Sequence, residues 1–353
     1  MSNLDPDPPE IECEAGGAPG GPRSEDAQPG GAAVEIITSR EVPLGGPRAM
    51  TVRRTLPQRQ RSLIGAFCFV DHYGPDDVSA TGGMDVPSHP HTGLQTVSWL
   101  FEGSVTHHDS GDNHAVVRPG EVNLMTSGAG ICHTEVSTQD TTVLHGVQLW
   151  TVLPEDHRES SGRRFDHHVP DPVGFAGGSA RVFMGSLLGS SSSVTTYTPL
   201  VAAELRLDPG AELRLDVDPD FEHGLLVDSG DLTLEGVDVE VSHLAYTGVG
   251  ETTLTIRNTG TTAGRAVLIG GTPFEEDIIM WWNFIGRTHD EIAGYREQWE
   301  AGSERFGRVD GYIGHDPRGL TRLPAPTLPT TTLKPRVNPD PRAVGPDVRG
   351  HRR

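Results

Sequence analysis

The chain has 353 residues, a formal net charge of −21, 35 % hydrophobic residues, 44 Gly and 28 Pro. Its length suits two domains of the usual ~150 residues, and the Gly/Pro content favours many short strands over long helices. The acidic balance argues against direct nucleic-acid binding, because a negative surface repels phosphate backbones. No apolar run reaches membrane-span length, and three cysteines (Cys13, Cys68, Cys132) make no disulfide framework.

Residues 1–33 hold seven acidic residues against one basic, with Gly/Pro runs between them. Such a segment cannot bury enough apolar surface to order itself, so a disordered acidic tail is expected. It lacks the basic and apolar regions of a signal peptide, which with the sparse cysteines leads to an expected cytoplasmic location. A first domain is expected over 34–178. It opens with strands at Val34–Ile37 and Thr51–Arg54, then an apolar strand from Gly65 that Gly74-Pro75 breaks as a turn, with Asp71-His72 as turn anchor.

The stretch from Ser88 to Glu135 organises the rest. His89 and His91 lie two apart, as do His133 and Glu135. Residues two apart on a strand point to one face, so two neighbouring strands would bring four ligands to one point. The expected strand 89–101 also carries Gln95, Val97, Trp99 and Phe101 at odd positions. Ligands and apolar residues should therefore share a barrel-interior face, with Gly93 permitting a bend. Gly128 and Gly130 should let the backbone pass close to the site. His107 and His108 straddle a strand and read as core or surface residues rather than ligands. His145 faces with Val147 and Leu149, opposite Gln148 and Trp150, and suits either a core role or a hydrogen bond to a ligand. Cys132 is turned away by strand alternation.

A second β-rich domain is expected over 179–322, with short strands between Gly/Asp/Pro turns. His223 and His243 stand alone there, so this unit should hold no metal. Thr288 and Glu291 form a capping box for a helix whose Ile292, Tyr295 and Trp299 make an apolar stripe. Residues 323–353 read as a disordered Pro/Arg tail with six basic and two acidic residues.

At Ser88–Gly103 and Arg118–Glu135 the chain resembles the pirin family of the cupin superfamily. The segments Val52-Arg53-Arg54, Asp71–Pro75, His145–Trp150, Trp281–Phe284 and Arg305-Phe306-Gly307 extend the resemblance over 34–327. It implies an all-β bicupin: two stacked antiparallel β-barrels of jelly-roll type with a short C-terminal helix. It also implies metal in the N-terminal barrel alone, on His89, His91, His133 and Glu135, usually taken to be iron. Some bacterial pirins show quercetin 2,3-dioxygenase activity, and the mammalian one is a nuclear, iron-dependent transcription cofactor. This chain has Gln95 where pirins commonly have Glu, which would remove a further ligand or base.

Three imidazoles and one carboxylate suit Fe(II), Mn, Co, Ni or Zn. One carboxylate leaves a divalent ion positively charged, and the ion's open positions suit a chelating enediol such as the edge of a flavonol. The expected function is thus a metal-dependent dioxygenase acting on a small aromatic or enediol substrate. A non-enzymatic, metal-dependent redox or stress regulator that binds a protein partner is the rival, and a zinc isomerase or hydrolase a lesser third. No catalytic residue beyond the ligands is assigned.

Overall fold

Alternating burial builds most of this chain. In Glu212–Asp216 only Leu213 and Leu215 point inward, and in Val105–Asp109 residues 105, 107 and 109 are buried while 106 and 108 are not. The computed structural model describes residues 33–44, 50–312, 319–335 and 338–341. The expected acidic tail, save residue 33, and residues 342–353 lie outside the described residues.

The two halves repeat one plan. In the first, a seven-stranded antiparallel sheet runs in the order Arg164–His168, Val122–Thr126, Leu94–Glu102, Val143–Val152, Phe67–Asp77, Met50–Leu56, Arg40–Leu44. It faces a four-stranded sheet ordered Asp85–His91, Ile131–Ser137, Val105–Asp109, His114–Val117. In the second half, seven strands run Glu35–Ile37, Leu244–Thr247, Glu222–Ser229, Gly264–Gly271, Leu200–Leu207, Gly178–Met184, Val173–Phe175. They pair with a four-stranded sheet of Glu212–Asp216, Thr253–Asn258, Leu232–Leu234 and Val237–Val239. The chain is all-β, as expected. Among the described residues no ladder joins the two sheets of either half, so each is two facing sheets rather than a closed barrel. Strand Glu35–Ile37 pairs with Leu244–Thr247, so the start of the described chain completes the sheet of the second half.

The seven-stranded sheets lie back to back. Val97, Trp99, Val147 and Leu149 share a core with Phe183, Met184, Leu226, Val267 and Ile269. Trp99 stacks on Phe183 at 4.4 Å and donates its Nε1–H to Glu204 Oε2 at 2.8 Å. This corrects the expected face of residues 95–101. The chain breaks after His91, and Leu94–Glu102 joins the other sheet, so its odd positions cover the second half instead of lining the site. Gly93 makes the break with φ +68°, and a Cβ there would lie 2.8 Å from Ile285 O.

A buried polar cluster crosses the same junction. Asp228 accepts from His72 Nε2 at 2.8 Å, His145 Nε2 at 2.5 Å and Arg265 Nε at 2.7 Å. Arg265 Nη2 also donates to His145 Nδ1 at 3.3 Å. His72 is therefore no turn anchor. The strand Phe67–Asp77 continues through Gly74-Pro75, and Asp71, pointing the other way, takes two hydrogen bonds from Arg54 at 2.6 and 2.8 Å. Burial leaves such carboxylates no water, so each must find cations or donors.

The helix His289–Glu300 starts as expected: Thr288 Oγ1 accepts from Glu291 N at 3.2 Å, and Ile292, Tyr295 and Trp299 are buried. The return arm differs, because Glu291 Oε2 accepts from Arg287 N at 2.6 Å. No helix among the described residues is long and apolar enough to cross a membrane. The expected tail from residue 323 is corrected in part. Leu323 and Ala325 are buried against the helix, with Leu328 and Leu333 packed beside them. Trp299 Nε1 donates to Leu323 O at 2.9 Å, and Asn338 bridges to Ser62 and Leu63. Prolines stiffen this strap, and its spaced leucines supply the apolar anchors that composition alone hides.

Candidate metal centre

Strands Asp85–His91 and Ile131–Ser137 are neighbours in the four-stranded sheet, with His133 opposite His89. His89, His91 and His133 thus face the interior between the two sheets of the first half. His89, His91 and His133 are each 0 % exposed, and their ligand atoms lie within 4.8 Å of one another. His91 Nε2 and His133 Nε2 are 3.1 Å apart. A β-bulge between His133 and Glu135 shifts the register by one, so Glu135 sits opposite Val86. A carboxylate oxygen of Glu135 lies within 4.8 Å of ring nitrogens of His133 and His107.

The donor set fits a cation. Pro87 O can only accept, so His89 Nδ1 at 2.9 Å carries the proton and Nε2 keeps a lone pair. That Nε2 is buried with no hydrogen-bond partner among the described residues. A buried lone pair without a donor is costly unless an ion takes it. Two imidazole nitrogens 3.1 Å apart need a proton or a cation between them. The spacing is close to that of two ligands at right angles with bonds of about 2.1 Å. Burial pushes the His89 imidazole down to about 4 and holds His91 and His133 well below the ordinary range, so all three offer lone pairs at neutral pH.

Trp150 meets His91 edge-on at 5.1 Å and is stacked on Phe69 at 4.1 Å, which makes an apolar wall on that side. Burial first, and the charge of Glu135 next, raise the pKa of the buried Tyr73 phenol, which therefore keeps its proton.

Several sequence readings land elsewhere. Gln95 bonds Thr126 Oγ1 and Thr195 O, both at 2.9 Å, on the side of the second half, so its amide removes no ligand from this centre. His145 belongs to the Asp228 cluster. Gly128 and Gly130 allow close approach to Gly162 and Arg305, not to the imidazoles. Cys132 packs away with Trp299 and Phe306. His108 pairs with His114 on the outside, at 4.3 Å between ring centres. His107 is the residue the sequence reading undervalued. Its Nδ1 lies 3.3 Å from His133 Nδ1 and its Nε2 lies 3.0 Å from Asp109 Oδ2. The signal was present: His107 and Asp109 are a third pair two residues apart on one strand.

Residues 49–151 match the family model described as Pirin, and residues 202–307 match the Pirin C-terminal cupin domain. The chain is 42 % identical over 297 residues to PA1205 of Pseudomonas aeruginosa, a protein named provisionally as a quercetin 2,3-dioxygenase; the match covers 84 % of this chain and 91 % of that one. Human pirin is 30 % identical over 250 residues, covering 69 % of this chain and 83 % of its own length. Among solved structures, a quercetin 2,3-dioxygenase from Acinetobacter baumannii superposes with TM-score 0.78 at 36 % identity, over 84 % of this chain and 96 % of that one. The Escherichia coli pirin YhhW, solved with nickel(II), shares the fold at TM-score 0.53 and 17 % identity, over 68 % of this chain and 99 % of its own.

Proposed function

Since the chain belongs to the pirin family, we propose that it is a metal-dependent dioxygenase of a flavonol-like substrate, with His89, His91, His133 and Glu135 as ligands and iron as the metal. The observation that carries this reading is the set of three buried, neutral imidazoles, with His91 Nε2 and His133 Nε2 3.1 Å apart and His89 Nε2 without a protein partner among the described residues. A divalent cation held there supplies Lewis acidity toward a hydroxy-ketone edge and a charge that favours its enolate.

The protein's own groups do the rest. The imidazoles add no charge, so Glu135 alone sets the net charge of the set, leaving a divalent cation at about +1 and attractive to an anionic substrate. Trp150 and Phe69 offer flat aromatic surface beside His91 and exclude water from that side. Tyr73 keeps its phenolic proton and can act as a donor but not as a base. The A. baumannii and P. aeruginosa relatives carry the quercetin dioxygenase name, which supports a flavonol as the first substrate to try.

The test starts with elemental analysis of protein purified without added metal. Iron-loaded protein should then consume O₂ with quercetin and release carbon monoxide, and His91→Ala should do neither. Absence of turnover with Fe, Mn, Co and Ni across a flavonol panel would sink the dioxygenase reading. Metal retention without turnover, together with a protein captured by wild type and not by His91→Ala, would favour the regulator instead.

A further inference from the structure

Asp109 is locked by its own loop. Its Oδ1 accepts from Gly111 N at 2.7 Å and Asn113 Nδ2 at 3.0 Å, and its Oδ2 faces His107 Nε2 at 3.0 Å. Asp109 is 1 % exposed and its pKa is lowered: burial works against this, but the bond from His107 and the loop donors prevail. A carboxylate accepts and cannot donate, so His107 Nε2 bears the proton and His107 Nδ1 has the lone pair. His107 Nδ1 in turn lies 3.3 Å from His133 Nδ1. With the cation on the Nε2 side of His133, this second pair of nitrogens shares a proton, and His133 must donate it. The proton of His133 is thereby fixed on Nδ1 and its lone pair on Nε2, the atom that faces His91 Nε2 at 3.1 Å.

We propose that His107, held by Asp109, is a positioning residue that fixes the tautomer and ring orientation of His133, so that His133 presents Nε2 to the metal shared with His89 and His91. The inference rests on the metal reading given above. It goes beyond that reading by assigning a role to two side chains outside the ligand set. His133 gains from a charged carboxylate through an intervening imidazole what His89 gains directly from Pro87 O. Partners of this kind are typically worth roughly 10–100-fold in metal affinity.

The decisive variant is Asp109→Asn, which keeps the shape of the side chain. With Gly111 N and Asn113 holding its oxygen, the new amide turns an N–H toward His107 Nε2. His107 must then accept there and protonate Nδ1, and His133 must shift its proton to Nε2. A mismatched carboxamide beside a catalytic histidine acts through the wrong tautomer in the same way.

Co(II) affinity of the full chain, measured by competition with a chelator, should fall roughly 10–100-fold in Asp109→Asn and in His107→Leu. His107→Asn, whose amide oxygen can take the place of Nδ1, should recover most of that loss. The Co(II) absorption spectrum should keep its ligand number in every variant. Two-bond ¹H–¹⁵N correlations on metal-free protein should report Nδ1–H at His133 in wild type and Nε2–H in Asp109→Asn. Unchanged affinity in Asp109→Asn, or an unchanged His133 tautomer, overturns the proposal. A missing ligand in the His107→Leu spectrum also overturns it, because His107 would itself bind the ion. If wild type binds no Co(II), the metal reading fails, and the tautomer measurement alone decides whether the Asp109–His107–His133 chain holds.

Discussion

Asp228→Asn should loosen the junction between the two halves without leaving a cavity. Asp228 is 5 % exposed and takes three hydrogen bonds, from His72, His145 and Arg265, at 2.8, 2.5 and 2.7 Å. The amide keeps one oxygen, which serves the two imidazoles best, and turns its NH₂ toward Arg265 Nε–H. Two charge-assisted bonds become neutral, each weaker by about 1 kcal/mol, and the Arg265 bond is lost at about 1.5–2 kcal/mol. Arg265 is half-buried, with its side chain 19 % exposed and its guanidinium over the Phe101 ring, so it keeps part of its hydration and the total is about 3.5–4 kcal/mol. Urea titration followed by tryptophan fluorescence should show the midpoint falling with little change in slope, and thermal melting should drop by roughly 5–6 °C. The control is Asp166→Asn, which makes the same chemical change opposite Arg164, whose side chain is 49 % exposed. It should cost less than about 0.5 kcal/mol. A loss below about 1 kcal/mol for Asp228→Asn would refute the reasoning, since the cluster would then be screened like a surface pair.

Burial pushes His223 down to about 4, whereas an unfolded histidine titrates near 6.5. The unfolded chain therefore binds more protons between those values, so this residue's contribution is complete above pH 6.5 and falls as pH drops toward 4, by roughly 3 kcal/mol. His223→Met should flatten the acid side of the stability–pH curve by about that much; an unchanged slope in urea titrations would count against it. Gly93→Ala forces a side chain into φ +68° and against Ile285 O at 2.8 Å. It should lower stability by at least about 2 kcal/mol in thermal melting. Truncation after Arg322 removes Leu323 and Ala325 from Trp299 and should cost roughly 2–4 kcal/mol, with tryptophan emission shifting to the red. Unaltered emission would show that the strap does not cover the helix.

The spacing of His89 with His91 and of His133 with Glu135 was enough to expect each pair on one face of a strand, because strand geometry fixes which way every second side chain points; that the two strands are neighbours came from the fold. Composition favoured many short strands, since Gly and Pro at short intervals leave little room for long helices, and the family resemblance supplied the all-β class. Thr288 and the stripe of Ile292, Tyr295 and Trp299 specified their helix locally. Tertiary structure decided the rest. Whether Trp99 lines the site or covers the second half depends on which sheet Leu94–Glu102 joins, and its alternation reads the same in both cases. His72 and His145 acquire a role only when Asp228, more than eighty residues beyond the nearer of them, arrives between them. Alternation works along a strand and is blind to what lies across it, and so the sequence could point to His89, His91, His133 and Glu135 as candidates but not to His107 and Asp109 behind His133.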